Sequence, residues 1–356
     1  MKILGIGIIF SQGMGLSTLE RALCNGWLKP SEIDVPRMEG VKRPVYQVDL
    51  DTVPDRTLLK KIRRADKLSK MSVLAASDAL DNSGIPNVNL KKIGIILATA
   101  FGAQVTTFDF LDGNLDYGDA AVSPTTFSNS VHNAAASYVS SSLNIQGPTL
   151  TVTQFRFSFQ SALQLAQTWL DQGRCDYFLV GAVDQYGDVL GYISEQKLIT
   201  ANDGRIKPFA FKPTCQVPGE GAVFFLLGRD LTDKAHCSVD AVYTGDNPDC
   251  NKPVDINIID ADGMLQDESV YLSSLTTDIQ TAAYSPLFGS MMIGGAFNLA
   301  AAAIMLKQQI QYASPVLDNP HGLLLLDKTR PAHIGSIRSI GCNCFGVTSV
   351  VYLSKL

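Results

Sequence analysis

The sequence predicts an α/β fold, on three observations. Short apolar runs alternate along the chain with longer amphipathic stretches of helical period. The strand-like runs are apolar nearly throughout, as strands buried on both faces are. Of the 356 residues, 46% are apolar and 18% charged, ample material for a large core in one big domain or two fused ones.

Taken in order, "KILGIGII" at residues 2–9 is a core strand. It has one preceding charge, Lys2, and runs straight into a glycine-rich turn, so it is not read as a signal sequence. "KLSKMSVLAASDALDNSG" follows as an amphipathic helix, and "KIGIILATA" and "TLTVTQF" as strands. "FSFQSALQLAQTWLDQG" is a second helix, with Ala162, Ala166 and Leu170 on one face and Gly173 as its stop. "YFLVGAV" and "GAVFFLLG" return to strand. The pattern then restarts with "CSVDAVYTG", "DINIIDADG", an Ala-rich helix and the closing strands of "GSIRSIGCNCFGVTSVVYLSKL". The chain therefore divides into a longer half, 1–230, and a shorter one, 231–356. "GDNPDCNKP" is its most loop-like segment.

The composition excludes several classes. A net charge of −5 argues against nucleic acid as the main partner. The longest apolar stretch, 285–306, contains Asn298 and three glycines; it reads as a buried helix with its lead-in loop, not a membrane span. Seven cysteines without a CxxC are expected to be reduced, in a cytoplasmic protein. Cys342 and Cys344 would share one face of a strand, but two thiols alone make a poor metal site. The glycines of "GIGIIFSQGMGLS" miss the spacing of a dinucleotide turn. No metal and no cofactor is expected.

Several pieces, in this order, resemble the ketosynthases of the thiolase fold. They are "ILGIGIIFSQGMG", "GPTLTVTQFRF…GRCDYFLVGAVD", "KPFAFKPTCQVPGEGAVFFLL", "LDNPHG" and "CNCFGVTS". The resemblance implies two related α/β halves in a layered α-β-α-β-α arrangement. It also implies a cysteine at a helix N-terminus that carries the acyl chain, and two histidines that assist decarboxylation. Counted from Gly147-Pro148 and back from Gly181-Ala182, the cysteine position is Arg156. The first histidine falls on Asp262 in "IDADGMLQDES", and "FGSMMIGGAF" holds no histidine where the second belongs. Arginine can neither carry an acyl group nor act as a base near neutral pH. The four histidines are His132, His236, His321 and His333. His132 reads as a hydrogen-bonded residue at a helix start, and Ser158 lacks the surroundings of a hydrolase serine.

A ketosynthase without its cysteine resembles the chain-length factor, the β subunit of bacterial type II polyketide synthases. Arginine departs from the glutamine common there. The resemblance implies a heterodimer with an active ketosynthase α subunit, in which "LTVTQF" pairs with its twin across a twofold. It implies acyl carrier protein as a second partner, and a tunnel gated at Ala103, Thr106 and Phe110. The basic run "LLKKIRRADKLSK", read as one helical stretch, would put Lys60, Arg63 and Arg64 on one side. There they could dock the acidic carrier, or simply form a solvated face. A linear or aryl polyene chain-length factor, and a stand-alone acyltransferase or hydrolase on the same fold, are the other readings. The segment shortened relative to ketosynthases is placed around Asp246 to Pro253.

Overall fold

The structure, a computed structural model, describes the chain apart from residues 36–37, 86–89, 120–121, 231, 246–251 and 317. The loop-like segment and the shortening placed near Asp246 thus lie largely outside the described residues. The main sheet is built on ten strands. The first five are β1 (Lys2–Phe10), β2 (Ile93–Thr99), β3 (Thr149–Thr153), β4 (Tyr177–Asp184) and β5 (Gly221–Gly228). The others are β6 (Cys237–Gly245), β7 (Ile256–Ile259), β8 (Gln280–Ala282), β9 (Ser336–Cys342) and β10 (Thr348–Ser354). The first five lie in the order β3-β2-β4-β5-β1, and the second five repeat it as β8-β7-β9-β10-β6. In each run the first three strands are parallel and the last two antiparallel to their neighbours. The runs join at a short antiparallel seam, Lys2 opposite Ser238 and Ile3 opposite Cys237. This is the thiolase-like α/β fold that the sequence predicts.

Four helices matter for the site: α1 (Lys67–Ser83), α2 (Gln104–Tyr117), α3 (Ser158–Asp171) and α4 (Gly294–Gln308). One apolar cluster joins the buried face of α3, with Ala162, Ala166 and Leu170, to α4 and to inner residues of both strand runs, such as Ile6, Val180, Ile258 and Ile337. Helix α4 is buried from Gly294 to Leu306. That explains why its sequence is apolar all round: it has sheet on two sides and no solvent face. Among the described residues no helix is long and apolar enough to cross a membrane.

Helix α1 covers the outer face of the first run. A methyl group at Gly7 would sit 2.0 Å from the Ala75 carbonyl oxygen, and one at Gly5 2.2 Å from that of Ala79. The glycines of β1 therefore admit a helix rather than a phosphate. The outer face of the second run is covered by the 3₁₀ turn Ser269–Ser274 and by Phe209 and Phe211, so its last layer is thin.

Two local expectations are corrected. Residues 58–70 are not one helix: a short helix, Arg56–Lys61, ends within them and α1 starts afresh at Lys67. Asp66 causes the break, because its carboxylate accepts from the Ser69 N–H at 2.9 Å as the N-cap of α1. Cys342 and Cys344 do not share a strand face: β9 ends at buried Cys342, and Cys344 is exposed in the turn beyond. The six described cysteines are free, and Cys250 lies outside the described residues.

Strand β3 differs from the other long strands in being an exposed edge. Leu150 within it is 40% exposed and Phe155 just after it 66%. Phe127 and Val131 are exposed as well.

Candidate functional site

The turn from β3 into α3 is sharp. Phe157 has φ 69° and ψ 9°, a left-handed conformation that a bulky side chain adopts at a cost of about 1–3 kcal/mol. Its ring is buried, which holds the turn in place. The elbow throws Arg156 inward, where 7% of it remains exposed. A cation here faces the positive end of the α3 macrodipole and has lost its water, both unfavourable.

Asp262 compensates. It follows β7 on the loop of the second half, is 2% exposed, and accepts a hydrogen bond from Arg156 Nη2 at 2.8 Å. Burial works against the guanidinium charge, but the Asp262 carboxylate holds it, and the Arg156 pKa is raised above its ordinary value. The contact is a single bond: Arg156 Nε and Asp262 Oδ2 have no partner. Asp262 Oδ1 also accepts from the Met264 N–H at 3.1 Å, and its carbonyl accepts from the Ser290 hydroxyl. Ser290 Oγ in turn accepts from the Val217 N–H at 3.0 Å. Three loops are thereby tied together around the pair.

Two further buried acids complete the cluster, and sequence reasoning missed both. Glu268 is pushed up to about 8, chiefly by burial and then by the nearby Asp262 charge, with Arg156 opposing. It accepts from the Gly263 N–H at 2.9 Å. Asp260 is pushed up to about 6 by burial, against the pull of Arg156, and accepts from Asn298 of α4 at 2.9 Å. One cation among three carboxyls can neutralise only one of them, so the Glu268 carboxyl is pushed toward its protonated form. "DADGMLQDES" gave no sign of this, because a Glu beside Asp and Ser reads as solvent-facing. The residue carrying the signal was Gly263, with φ 78° and a Cβ position 2.0 Å from the Cys215 carbonyl oxygen. It presses the loop inward.

The cluster has little chemistry open to it. The four histidines lie elsewhere: His132 is exposed beside Gly102, His236 bonds Asn82 at 2.9 Å, His321 packs at a tilt against the ring of Phe211, and His333 is exposed. Ser158 is fully buried, its hydroxyl without a partner. The space beside Met264 and Ser290 measures about 50 Å³, far below the 300–1,000 Å³ of a typical ligand pocket.

The remaining sequence-predicted positions are dispersed. Thr106 is buried and its hydroxyl donates to Asp66 at 2.9 Å. Ala103 is buried at the start of α2, and Phe110 packs on Phe127 with ring centres 5.4 Å apart. Lys60, Arg63 and Arg64 are exposed. Lys60 and Arg63 share a cleft of about 370 Å³ with Arg56 and Lys70, while Arg64 lies outside its lining.

Comparisons with known proteins bear on the family and the fold. Residues 1–232 match the model of the beta-ketoacyl synthase N-terminal domain. A protein of Streptomyces cyaneus named as polyketide beta-ketoacyl synthase 1 is 22% identical over 411 residues, covering 99% of this chain and 97% of that one. The phenolphthiocerol synthesis polyketide synthase type I Pks15/1 of Mycobacterium bovis is 30% identical over 167 residues, 46% of this chain. The hybrid PKS-NRPS synthetase TAS1 of Gloeophyllum trabeum is 30% identical over 109 residues, 29% of this chain. The chain spans 7% of the length of each of these last two. Among solved structures, the ishigamide ketosynthase/chain length factor superposes with a TM-score of 0.79 at 15% identity, covering 100% of this chain and 98% of that one. The AntDE:AntF complex, a type II polyketide synthase acyl carrier protein with its ketosynthase bound to the hexaketide, does so with the same score and identity, over 100% and 99%. With the family model matched across the first strand run, the elbow and the closing strand of that half, the chain belongs to the beta-ketoacyl synthase family.

Proposed function

We propose that this chain is a non-catalytic, chain-length-determining subunit. It pairs with an active beta-ketoacyl synthase and helps elongate a polyketide chain carried on acyl carrier protein. In this reading 1–230 and 231–356 are its two ketosynthase-like halves, the second shortened. The observation that supports the proposal is the buried Arg156–Asp262 pair, at the two positions that the family resemblance gives to a nucleophile and its assisting base. A site filled in this way leaves the fold without a reaction of its own, so its use must lie in an assembly.

Two features support the choice of partner. The exposed β3 edge with Leu150 and Phe155 offers unpaired backbone groups flanked by apolar side chains, a surface that a second subunit with the same strand could extend. The similar ketosynthase/chain length factor and carrier-protein complexes supply the class of partner.

Size-exclusion chromatography of the chain alone, and co-expressed with an active ketosynthase from the same gene neighbourhood, tests the proposal. The chain alone is expected to self-associate or precipitate, and the co-expressed pair to elute as a 1:1 complex. A stable micromolar monomer that forms no complex would overturn it.

A further inference from the structure

Outside the dead site, α2 and the helix Asp188–Lys197 enclose a cavity of about 500 Å³. Its walls include the rings of Phe108, Tyr186 and Tyr192. Its rim carries three carboxylates, Asp109, Asp112 and Asp188, all exposed. Among the described residues no cationic side chain forms an ion pair with any of them. The ammonium of Lys67 also reaches the cavity, but it is bound to the buried Glu220 carboxylate.

The charges of Asp112 and Asp188 act on Asp109, and that of Asp188 on the wall. The Asp109 carboxyl is raised above its ordinary value by burial, then by the charges of Asp112 and Asp188. The Tyr186 phenol is pushed up to about 12 by burial, with Asp188 and Glu195 adding to it. A group of like charges around a hole opposes folding, and among the described residues no ion pair offsets it, although Asp188 is favoured by its place in the first turn of its helix.

A separate observation comes from the cavity wall. Gln104 is 8% exposed and lines the cavity. Its amide nitrogen donates to the Gln185 carbonyl at 3.2 Å, but its Oε1 has no partner. A buried amide oxygen left unmatched calls for a donor. The groups at the cavity that are free of a cation are therefore acceptors: three solvent-exposed carboxylates and, in the wall, one unpartnered amide oxygen, set among aromatic faces.

A bare metal ion does not suit this arrangement. Among the described residues no group of three or more His, Cys, Asp or Glu side chains is placed to hold one. The carboxylates are spread around a space sized for a small organic molecule. Aromatic faces attract organic cations, and an ammonium group brings N–H donors as well. We propose that the Gln104–Asp109–Tyr192 cavity binds an organic cation, a protonated primary amine on an apolar chain, with the ammonium among the carboxylates and the chain along the rings.

Ligand-observed NMR titration tests this, with the chain as it purifies, alone or with its partner subunit, and with substitutions confined to this chain. The probes are n-hexylammonium and its neutral counterpart hexan-1-ol. Hexylammonium is expected to bind about tenfold or more tightly than hexanol, and more weakly as salt is added. Replacing Asp109, Asp112 and Asp188 together by Asn should weaken the amine about tenfold or more, while the melting temperature stays the same or rises. Tyr192→Ala should weaken it about threefold. Equal binding of hexanol would make this a chamber for neutral chains and overturn the proposal. So would no amine binding at about 10 mM, amine binding indifferent to the carboxylate substitutions, or displacement of the amine by calcium with no effect of Tyr192→Ala on either. These outcomes are independent of whether the chain forms a complex with a ketosynthase.

Discussion

Arg156 and Asp262 stand 106 residues apart in sequence, on different halves of the chain, and meet through a buried 2.8 Å hydrogen bond. One follows the third strand of the first run; the other follows the second strand of the second run. The internal repeat brings those strand ends together. A pair at this place locks the two halves to each other, and does so with charges that would be costly apart.

Breaking the pair from either side should therefore destabilise the chain strongly. Arg156→Met or Asp262→Leu alone is expected to cost about 3–5 kcal/mol, because each leaves a buried charge uncompensated. The double substitution should cost less than the sum, with a coupling of at least about 1 kcal/mol. Urea unfolding of the four proteins measures it; additive effects would show that the two side chains do not act together.

Glu268 makes stability depend on pH. Its carboxyl is raised from an ordinary 4.5 to about 8 in the folded chain. The folded state therefore holds a proton that the unfolded chain releases, and by linkage stability falls as pH rises between those values. Melting temperature should decline from about pH 5 to 8, and Glu268→Gln should flatten that slope. Asp260, raised to about 6, contributes in the same direction over the lower part of the range. A slope unchanged in Glu268→Gln would mean that Glu268 ionises freely.

Lys60 and Arg63 belong to one basic cleft, and in the proposed function that cleft is part of the carrier-protein docking face. Reversing both charges to Glu should weaken carrier binding about tenfold and reduce its salt dependence, with no change in melting temperature. Arg64→Glu, outside the cleft lining, should have a smaller effect. Fluorescence anisotropy with labelled carrier at several salt concentrations is the measurement. Unchanged binding would leave the cluster as a solvated face.

Ala103, Thr106 and Phe110 are proposed to set product length from one side of a shared tunnel. Phe110 packs on the exposed ring of Phe127. In the co-expressed pair, Phe110→Trp should shorten the product and Phe110→Ala lengthen it, read by mass spectrometry of released products. Both giving the parental length with normal turnover would place the gate elsewhere.

The fold was legible because its signals are local. Apolar runs of strand length, Gly173 after α3 and the Ala-rich α4 each mark an element by their own composition. The break before α1 was also written locally, in the Asp66 cap, but the continuous basic run around it masks it. The site was legible only in part. The positions of Arg156 and Asp262 came from counting between motifs, and the structure brings them together. Glu268 and Asp260 were not visible, because their burial depends on how a loop folds under Gly263 and against α4. The acidic cavity depends likewise on α2 meeting the helix Asp188–Lys197, a contact between segments about 80 residues apart that no local pattern carries.

The central claim, that the nucleophile's place is plugged and the chain works only through a partner, is tested most directly by intact-protein mass spectrometry. The chain, alone and with its ketosynthase partner, is incubated with acyl-loaded carrier protein. The account predicts no acyl adduct on this chain in either case and an adduct on the partner's cysteine. It also predicts that Arg156→Cys, though it can be acylated, supports no condensation by itself, since no histidine stands at the site. An acyl group found on the unmodified chain without a partner, or product formed by it alone, would contradict the account.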